Sequence, residues 1–341
     1  MKKILIIKMS ALGDVMIALP HVETIAENHK DDQVWILTGP QFAEFFINHP
    51  QLRVAVLDRH DKLFGNSTLS RILWIRKKQF DCIYDLQGNR TSRLLVRFSD
   101  APKKVGTQPR AIYTHSPKHE YTRKTRQNVF DRLNETLQSG GLPPATAGST
   151  LYLTENERGL VGKWKNETGL VDKNYALFHA GSSEEWLSKR WPEKHFAELA
   201  RLVEAQGIQC IWVGGPDEKE LNARLASRSG IDATGLFTLL QLYSLGREAR
   251  FAVTNDSGPM HIFCASGIPV YGFFGPTDWT RSHGAGQSGR VLSNDVSCSP
   301  CFSGVCKSSV GHICLKGIEP EKVFHLIQEE LLHDETFSTV V

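Results

Sequence analysis

Twice in this chain an apolar run ends in a short polar turn that contains glycine and opens a helix-like stretch. The first turn is Lys8-Met9-Ser10-Ala11-Leu12-Gly13-Asp14-Val15, behind an apolar run at 4–9. The second is Thr254-Asn255-Asp256-Ser257-Gly258-Pro259-Met260-His261, behind a run at 251–254. A strand that turns through glycine into a helix aims backbone N–H groups, and the positive end of the helix, at whatever binds there. Such a turn suits a phosphate. Two of them, one near the start and one in the last third, predict two lobes facing one cleft, with a carboxylate in one turn and phosphate-binding groups in the other.

The rest of the chain agrees with this frame. Apolar runs at 34–38, 54–58 and 82–86 alternate with amphipathic stretches at 13–28 and 69–78, the signature of a parallel sheet with crossover helices. Pro20 is expected to kink or interrupt the first of those helices. The pattern resumes after Gly140-Gly141-Leu142-Pro143-Pro144, which reads as a linker. Strands are expected at 175–179, 209–213, 251–254 and 270–274. Helices are expected at 193–206, 217–229, 239–247, 259–265 and 319–332. The fold class predicted is α/β with two Rossmann-like lobes, each built on a parallel sheet. The first lobe covers residues 1–150 and the second 151–318, with a C-terminal helix and tail at 319–341. Ligands in such sheets bind at the carboxyl ends of the strands, where both turns lie.

At 341 residues, 40% apolar and 23% charged, the chain has the composition of a soluble globular protein with two cores. Its opening apolar stretch is short and interrupted by Lys8, so neither a signal peptide nor a membrane span is expected, and the cytoplasm is the expected compartment. The charge is uneven. Residues 1–150 hold 22 Lys and Arg against 14 Asp and Glu, whereas the remainder holds 18 against 23. The basic half points to an anionic partner. Much of the excess is read into a long loop at 101–128, where Lys103, Lys104, Arg110, Lys118, Arg123, Lys124 and Arg126 crowd together.

Several positions are chemical candidates. Asp14 follows the turn residue Gly13, where a carboxylate either stabilises the helix start or serves as a base. His179-Ala180-Gly181-Ser182-Ser183 follows a strand and precedes Ser188-Lys189-Arg190-Trp191-Pro192. Small residues there let a backbone approach phosphate closely, and Lys189 supplies positive charge. Glu218, past Val213-Gly214-Gly215-Pro216-Asp217, is placed either to cap a helix or to hold ribose hydroxyls. Asp256, Ser257, Gly258 and His261 surround the second turn. Four of the seven cysteines, Cys298, Cys301, Cys306 and Cys314, are packed into one segment. Their spacing leaves two readings open, a structural metal (zinc or iron) or reduced thiols.

Taken in order, these segments resemble glycosyltransferase family 9, the ADP-heptose:lipopolysaccharide heptosyltransferases. The resemblance rests on Ser10 to Val15, on His179 to Ser182 with Lys189-Arg190-Trp191-Pro192, on Asn255 to His261, and on Phe274-Gly275-Pro276-Thr277-Asp278. It extends to the cysteine tail and Ile318-Glu319-Pro320. It implies a GT-B fold and inversion at the anomeric carbon. Asp14 would be the general base, with Lys189 and Ser182 on the diphosphate of ADP, joined by Ser183, and Gly13 would also belong to the nucleotide-sugar site. Glu218 would bind the ribose and Phe237 would lie along the adenine. Asp256, Ser257, Gly258 and His261 would surround the phosphates and the transferred sugar. No cofactor would be needed for catalysis. The partners implied are ADP-heptose and an anionic lipid A–Kdo acceptor at the inner face of the inner membrane. Arg110, Lys118, Arg123, Lys124 and Arg126 would meet that acceptor.

The stretch at 10–15 is closer to enzymes that add the first heptose, and the cysteine tail to those that add the second, so the acceptor stays open. Three alternatives stand beside this reading: a protein O-heptosyltransferase, a nucleotide-sugar epimerase of similar architecture, and a cysteine-rich nucleic-acid-binding protein.

Overall fold

A computed structural model describes residues 1–58, 67–122, 125–309 and 311–338, with side chains described as far as residue 330. Arg123 and Lys124 therefore lie outside the described residues. The chain divides into two compact units, Met1–Glu155 and Asn156–Val341.

In the first unit the elements run β1 (Lys3–Ile7), α1 (Leu12–Asn28), β2 (Gln33–Thr38), α2 (Glu44–Ile47), β3 (Leu52–Val56) and α3 (Thr68–Lys78). They continue with β4 (Cys82–Asp85), α4 (Arg90–Arg97), β5 (Lys103–Gly106) and α5 (Val129–Ser139). The five strands pair in parallel in the order β3-β2-β1-β4-β5. Residues Ile4 to Ile7 of β1 are fully buried, because helices cover both faces of the sheet and leave no polar side for the strand to present.

The second unit follows with α6 (Glu155–Thr168), β6 (Tyr175–His179), α7 (Glu193–Glu204), β7 (Gln209–Trp212), α8 (Lys219–Ala226) and β8 (Ile231–Asp232). Then come α9 (Leu239–Glu248), β9 (Phe251–Asn255), α10 (Gly258–Ala265), β10 (Val270–Phe274), α11 (Trp279–Ser282), β11 (Val291–Ser293), α12 (Ile313–Lys316) and α13 (Pro320–Ser338). Its six strands are parallel in the order β11-β10-β9-β6-β7-β8. Both sheets thus start in the middle, grow to one side, then return and grow to the other. Each has a topological switch point, between β1 and β4 and between β6 and β9, where an α/β sheet opens a crevice.

Trp191 anchors the second core. It stacks on Phe273 at 4.2 Å between ring centroids, and its indole N–H donates to the Ile318 carbonyl at 3.0 Å. That bond joins the segment before α7 to the residue leading into α13. Val323 and Ile327 of α13 belong to the same core cluster, so this helix packs as part of the second unit.

Two expectations need correction. Helix α1 runs through Pro20 without a break. Pro20 costs one backbone bond, and its own carbonyl accepts from Thr24 Oγ1 at 2.8 Å. The basic stretch at 101–128 is not all loop: β5 extends the sheet through its start, and α5 begins just after it, at Val129. Lys103 and Lys104 are spent inside the unit, with Lys103 Nζ donating to the Gly140 carbonyl at 2.6 Å and Lys104 Nζ to the Ser99 carbonyl at 2.9 Å. Helices α4 and α6 carried too few strong sequence signals to be expected, one being short and the other mostly polar. Among the described residues no helix is long and apolar enough to cross a membrane.

His21 lies fully buried on α1, its Nε2–H donating to the Phe130 carbonyl at 3.1 Å and its ring edge-on to Phe130 at 4.7 Å. Burial drives its pKa from 6.5 down to about 4. The unfolded chain therefore binds a proton that the fold refuses. The stability this contributes is complete above the unfolded pKa and is lost as pH falls toward the folded one, by about 3 kcal/mol in all. The melting temperature of the wild type should drop across that interval, and that of His21→Gln should drop less. Equal profiles would show that His21 is not the group responsible.

Candidate active site

At the switch point of the second unit, β6 ends at His179 and β9 at Asn255. Asn255 is fully buried, and its amide ties three strands of chain together. Nδ2 donates to the carbonyls of Ala180 (2.8 Å) and Gly181 (3.0 Å), and Oδ1 accepts from the Trp191 backbone N–H (2.9 Å). The loop after β6 is thereby fixed against the loop after β9.

Glu218 reaches into the same place from the turn after β7. Its Oε1 lies 3.2 Å from His179 Nε2, and its Oε2 accepts from the Gly215 N–H at 2.9 Å. An added Cβ on Gly181 would stand 1.3 Å from the carboxylate, and one on Gly214 would stand 2.3 Å from it, so these two glycines make the room that Glu218 fills. Burial pushes the Glu218 carboxyl up, but the His179 ring, the Gly215 N–H and the Arg190 charge outweigh it and leave the group below its ordinary range.

The other ring nitrogen of His179, Nδ1, lies 3.2 Å from Ser257 Oγ and 3.3 Å from Thr254 Oγ1. Ser257 is the N-cap of α10, yet its hydroxyl caps no backbone N–H and faces His179 instead. A chain of polar groups runs from Ser257 through His179 to Glu218. When His179 carries both ring protons it donates to both ends, and the Ser257 O–H is released to donate to a ligand.

Lys189 and Asp256 form an ion pair at 2.8 Å, with Asp256 much the more buried. Thr277 Oγ1 donates to the same Asp256 oxygen at 2.7 Å, and Lys189 Nζ sits 4.9 Å from the centre of the Trp186 ring. A carboxylate beside a phosphate site repels the ligand unless its charge is cancelled, and Lys189 cancels it here. His261 is buried one turn into α10, behind Gly258.

The expected role of Ser182 changes. Its hydroxyl proton goes to the Trp186 carbonyl at 2.9 Å, and its oxygen accepts from Arg190 Nε at 3.1 Å, while Arg190 Nη2 donates to the Ser182 carbonyl at 2.8 Å. With one proton, already used, Ser182 shapes the loop and does not donate outward. Ser183 next to it is exposed. Phe237 packs edge-on to Trp164 at 5.0 Å.

In the first unit the switch point holds a cavity of about 200 Å³. It is lined by Lys8, Asp14, Gln87, Gly88, Thr107, Gln108, Tyr121 and Arg132, among others. Gly13 and Asp14 fall in the first turn of α1. Gln87 Oε1 accepts from the backbone N–H groups of both Met9 (2.7 Å) and Ser10 (3.0 Å), which fixes the turn ahead of Asp14. Gly88 has φ +63 and an added Cβ would lie 2.2 Å from Thr107 Oγ1, so the lining requires glycine there. Lys8 is buried, which lowers its pKa; Asp14 and Asp85 act against that shift. Asp85 is fully buried and saturated, accepting from Gln87 N (3.0 Å), Gly88 N (2.9 Å) and Tyr113 Oη (2.7 Å). Burial raises its pKa despite those donors. No hydrogen bond reaches the Asp14 carboxylate among the described residues. The expected acceptor cations fare differently: Arg110 is exposed and paired with Glu120, and Lys118 and Arg126 are exposed. The cations lining the cavity are Lys8 and Arg132.

The cysteines do not assemble a centre. Cys298, Cys301 and Cys306 are exposed thiols, while Cys314 is buried in the second core against Gly275. Burial raises the Cys314 pKa, and the other three thiols add to the effect, so the four are neighbours. Structural zinc needs sulfurs converging at about 2.3 Å on one point. Among the described residues no three Cys, His, Asp or Glu side chains are grouped to hold a metal ion. The arrangement does not fit the structural-metal reading.

The sequence motifs include Lys8, His179, Arg190, Asn255 and Thr277 without giving any of them a role, and they leave out Arg132. Lys8 and Asn255 carried a signal, a charged or amide side chain at the carboxyl end of an otherwise apolar strand. Arg132 carried none, since only the fold brings it in.

Comparison with known proteins supports this geometry. The sequence profile of glycosyltransferase family 9 (heptosyltransferase) matches residues 71–310, more than half of the chain. Lipopolysaccharide heptosyltransferase 1 of Pseudomonas aeruginosa is 24% identical over 98% of this chain and 99% of its own. Among solved structures, a glycosyl transferase family 9 protein from Veillonella parvula superposes with a TM-score of 0.79 at 21% identity, covering 97% of each chain. ADP-heptose LPS heptosyltransferase II of E. coli superposes with a TM-score of 0.72 at 20% identity, covering 98% of this chain and 99% of that one. The architecture is accordingly GT-B, two Rossmann-like lobes, and the chain belongs to glycosyltransferase family 9, the heptosyltransferases.

Proposed function

We propose that this enzyme moves a heptose from ADP-heptose to the Kdo/heptose inner core of lipid A, on the cytoplasmic side of the inner membrane, with inversion at the anomeric carbon. The observation that carries the reading is the Asp14 carboxylate, set in the cavity at the first switch point beside Lys8 and Arg132. Asp85, the other carboxylate near Lys8, is saturated with donors and has its pKa raised by burial. That leaves Asp14 to take a proton. Lys8 and Arg132 would attract an acceptor that carries carboxylate or phosphate close to its reacting hydroxyl.

In the reaction the acceptor hydroxyl gives its proton to Asp14 as its oxygen bonds to the anomeric carbon. The bond from that carbon to the diphosphate oxygen breaks, and ADP leaves with the electron pair. Charge grows on the diphosphate, and Lys189, the Ser257 hydroxyl and the N-terminus of α10 are the groups that would offset it. Glu218 would hold the ribose with the carboxylate edge not turned to His179, and Phe237 would lie along the adenine. Asp256 and His261 would border the transferred sugar. The Pseudomonas relative named above, a lipopolysaccharide heptosyltransferase matched end to end, supports this donor and acceptor class.

Asp14→Asn should keep the fold and ADP binding and lose roughly 10²–10⁴-fold in kcat, the range a general base supplies. Single-turnover transfer from ADP-heptose to a Kdo-bearing lipid A measures it. Near-normal turnover would reduce Asp14 to a helix-stabilising acid.

Lys189→Ala should weaken ADP about 10–100-fold while adenosine binding stays unchanged, since a charge-assisted hydrogen bond contributes roughly 1.5–3 kcal/mol. The variant also strands the Asp256 charge, so adding Asp256→Asn should restore part of the ADP affinity. Calorimetric titration of both nucleotides decides it. Equal losses for ADP and adenosine would remove Lys189 from the diphosphate.

A further inference from the structure

Helices α3 and α4 together carry seven Lys and Arg and not one Asp or Glu. They pack side by side on one face of the first sheet, burying Ile75, Leu95 and Val96 in a common core. Arg76 near the end of α3 lies 3.7 Å from Asp100 just past α4, so the two helix ends meet. Two of the seven cations are used within the unit: Arg71 Nε donates to the Val56 carbonyl, and Lys78 sits 4.5 Å over the Trp35 ring. Arg76, Lys77, Arg90 and Arg97 stand in water.

The outward faces of the same helices are apolar. Leu69 and Leu73, one turn apart on α3, are 51% and 60% exposed. Leu94 on α4 and Phe98 just beyond it, again one turn apart, are 40% and 47% exposed. Four large apolar side chains left in water on two adjoining helices, rimmed by cations without acids in either helix, make a poor solvent surface. The combination matches what an anionic bilayer surface binds, with leucine and phenylalanine entering the headgroup boundary and basic residues meeting lipid phosphates. A basic rim alone would suit a nucleic acid as well; the exposed leucines and phenylalanine decide for lipid.

We infer that the α3–α4 face is a docking surface for an anionic phospholipid bilayer. It deepens the reading above and rests on it for the lipid-borne acceptor. Helix α4 starts two residues after Gly88, which lines the Asp14 cavity, so this face begins beside that cavity. The first half's positive charge then has its main use on these helices, and the stretch at 101–128 is secondary.

The test uses the full chain with vesicles of phosphatidylglycerol and phosphatidylethanolamine, and with vesicles of phosphatidylcholine alone. Three proteins are compared by co-sedimentation: the wild type, Leu73→Ser with Phe98→Ser, and Arg90→Gln with Arg97→Gln. The wild type should sediment with the anionic vesicles only and be released by high salt. The charge variant should bind about 30-fold more weakly, about fivefold for each basic residue removed, the counterpart of about 1 kcal/mol each. The apolar variant should lose binding at all salt concentrations. All three should share one melting temperature, one elution volume and one kcat on an acceptor lacking its acyl chains. Wild-type binding indifferent to lipid charge, or variants that bind as the wild type does, would overturn the inference. So would a variant that changes oligomeric state, which would make the face a protein interface. Vesicle binding without transfer to any heptose acceptor would instead sink the functional reading and leave this surface standing.

Discussion

The buried amide of Asn255 holds the second half of this enzyme in working order. Three hydrogen bonds from one side chain join the end of β9 to the loop after β6 and to the segment that carries Trp191. Each partner is a backbone group with no water to turn to, so losing the amide would leave three buried polar groups unsatisfied, each costing about 1–3 kcal/mol. A carboxylate could accept from Trp191 but could not donate to Ala180 and Gly181. The position therefore demands an amide. Lys189 and Arg190 on one side and Asp256 and Ser257 on the other take their places from this tie.

Charge is then matched locally. Two carboxylates enter the second switch point, Asp256 and Glu218, and each arrives with a cation or a ring that can become one, Lys189 for the first and His179 for the second. The Asp256 charge that an incoming anion would meet is already paired with Lys189. The cost of that arrangement is paid in space. Gly181 and Gly214 exist as glycines because Glu218 occupies the volume a side chain would need.

Much of this could be read from the residues in order. The paired strand–glycine–helix turns predicted two parallel sheets. The strands at Tyr175–His179 and Val270–Phe274 have the expected limits, because long apolar runs buried on both faces leave little freedom in where they start and stop. What sequence could not supply was the use to which polar groups are put. Ser182 looks like a phosphate ligand by composition, yet its proton belongs to the Trp186 carbonyl four residues on. Lys103 and Lys104 look like an anion site and instead satisfy carbonyl groups at helix ends. In the cysteine tail, spacing alone admitted a metal, yet among the described residues no three Cys, His, Asp or Glu side chains are grouped to hold one. Hydrogen-bond partners are set by three-dimensional neighbours, which no local pattern encodes.

The first unit sets two carboxylates in unlike surroundings. Lys8 sits buried between Asp14 and Asp85, and either could in principle accept a proton. The fold separates them by environment. Asp85 is walled in at the β4–α4 turn, where two backbone N–H groups and the Tyr113 hydroxyl fill its lone pairs. Burial raises its pKa, and nothing from solution can reach it. Asp14 sits in the first turn of α1, partly exposed on the cavity wall. Of the two, Asp14 is the one that lines the cavity, and no hydrogen bond among the described residues reaches its carboxylate. Under the reading proposed above it is therefore Asp14 that takes the proton, because its carboxylate faces the cavity while that of Asp85 is closed off.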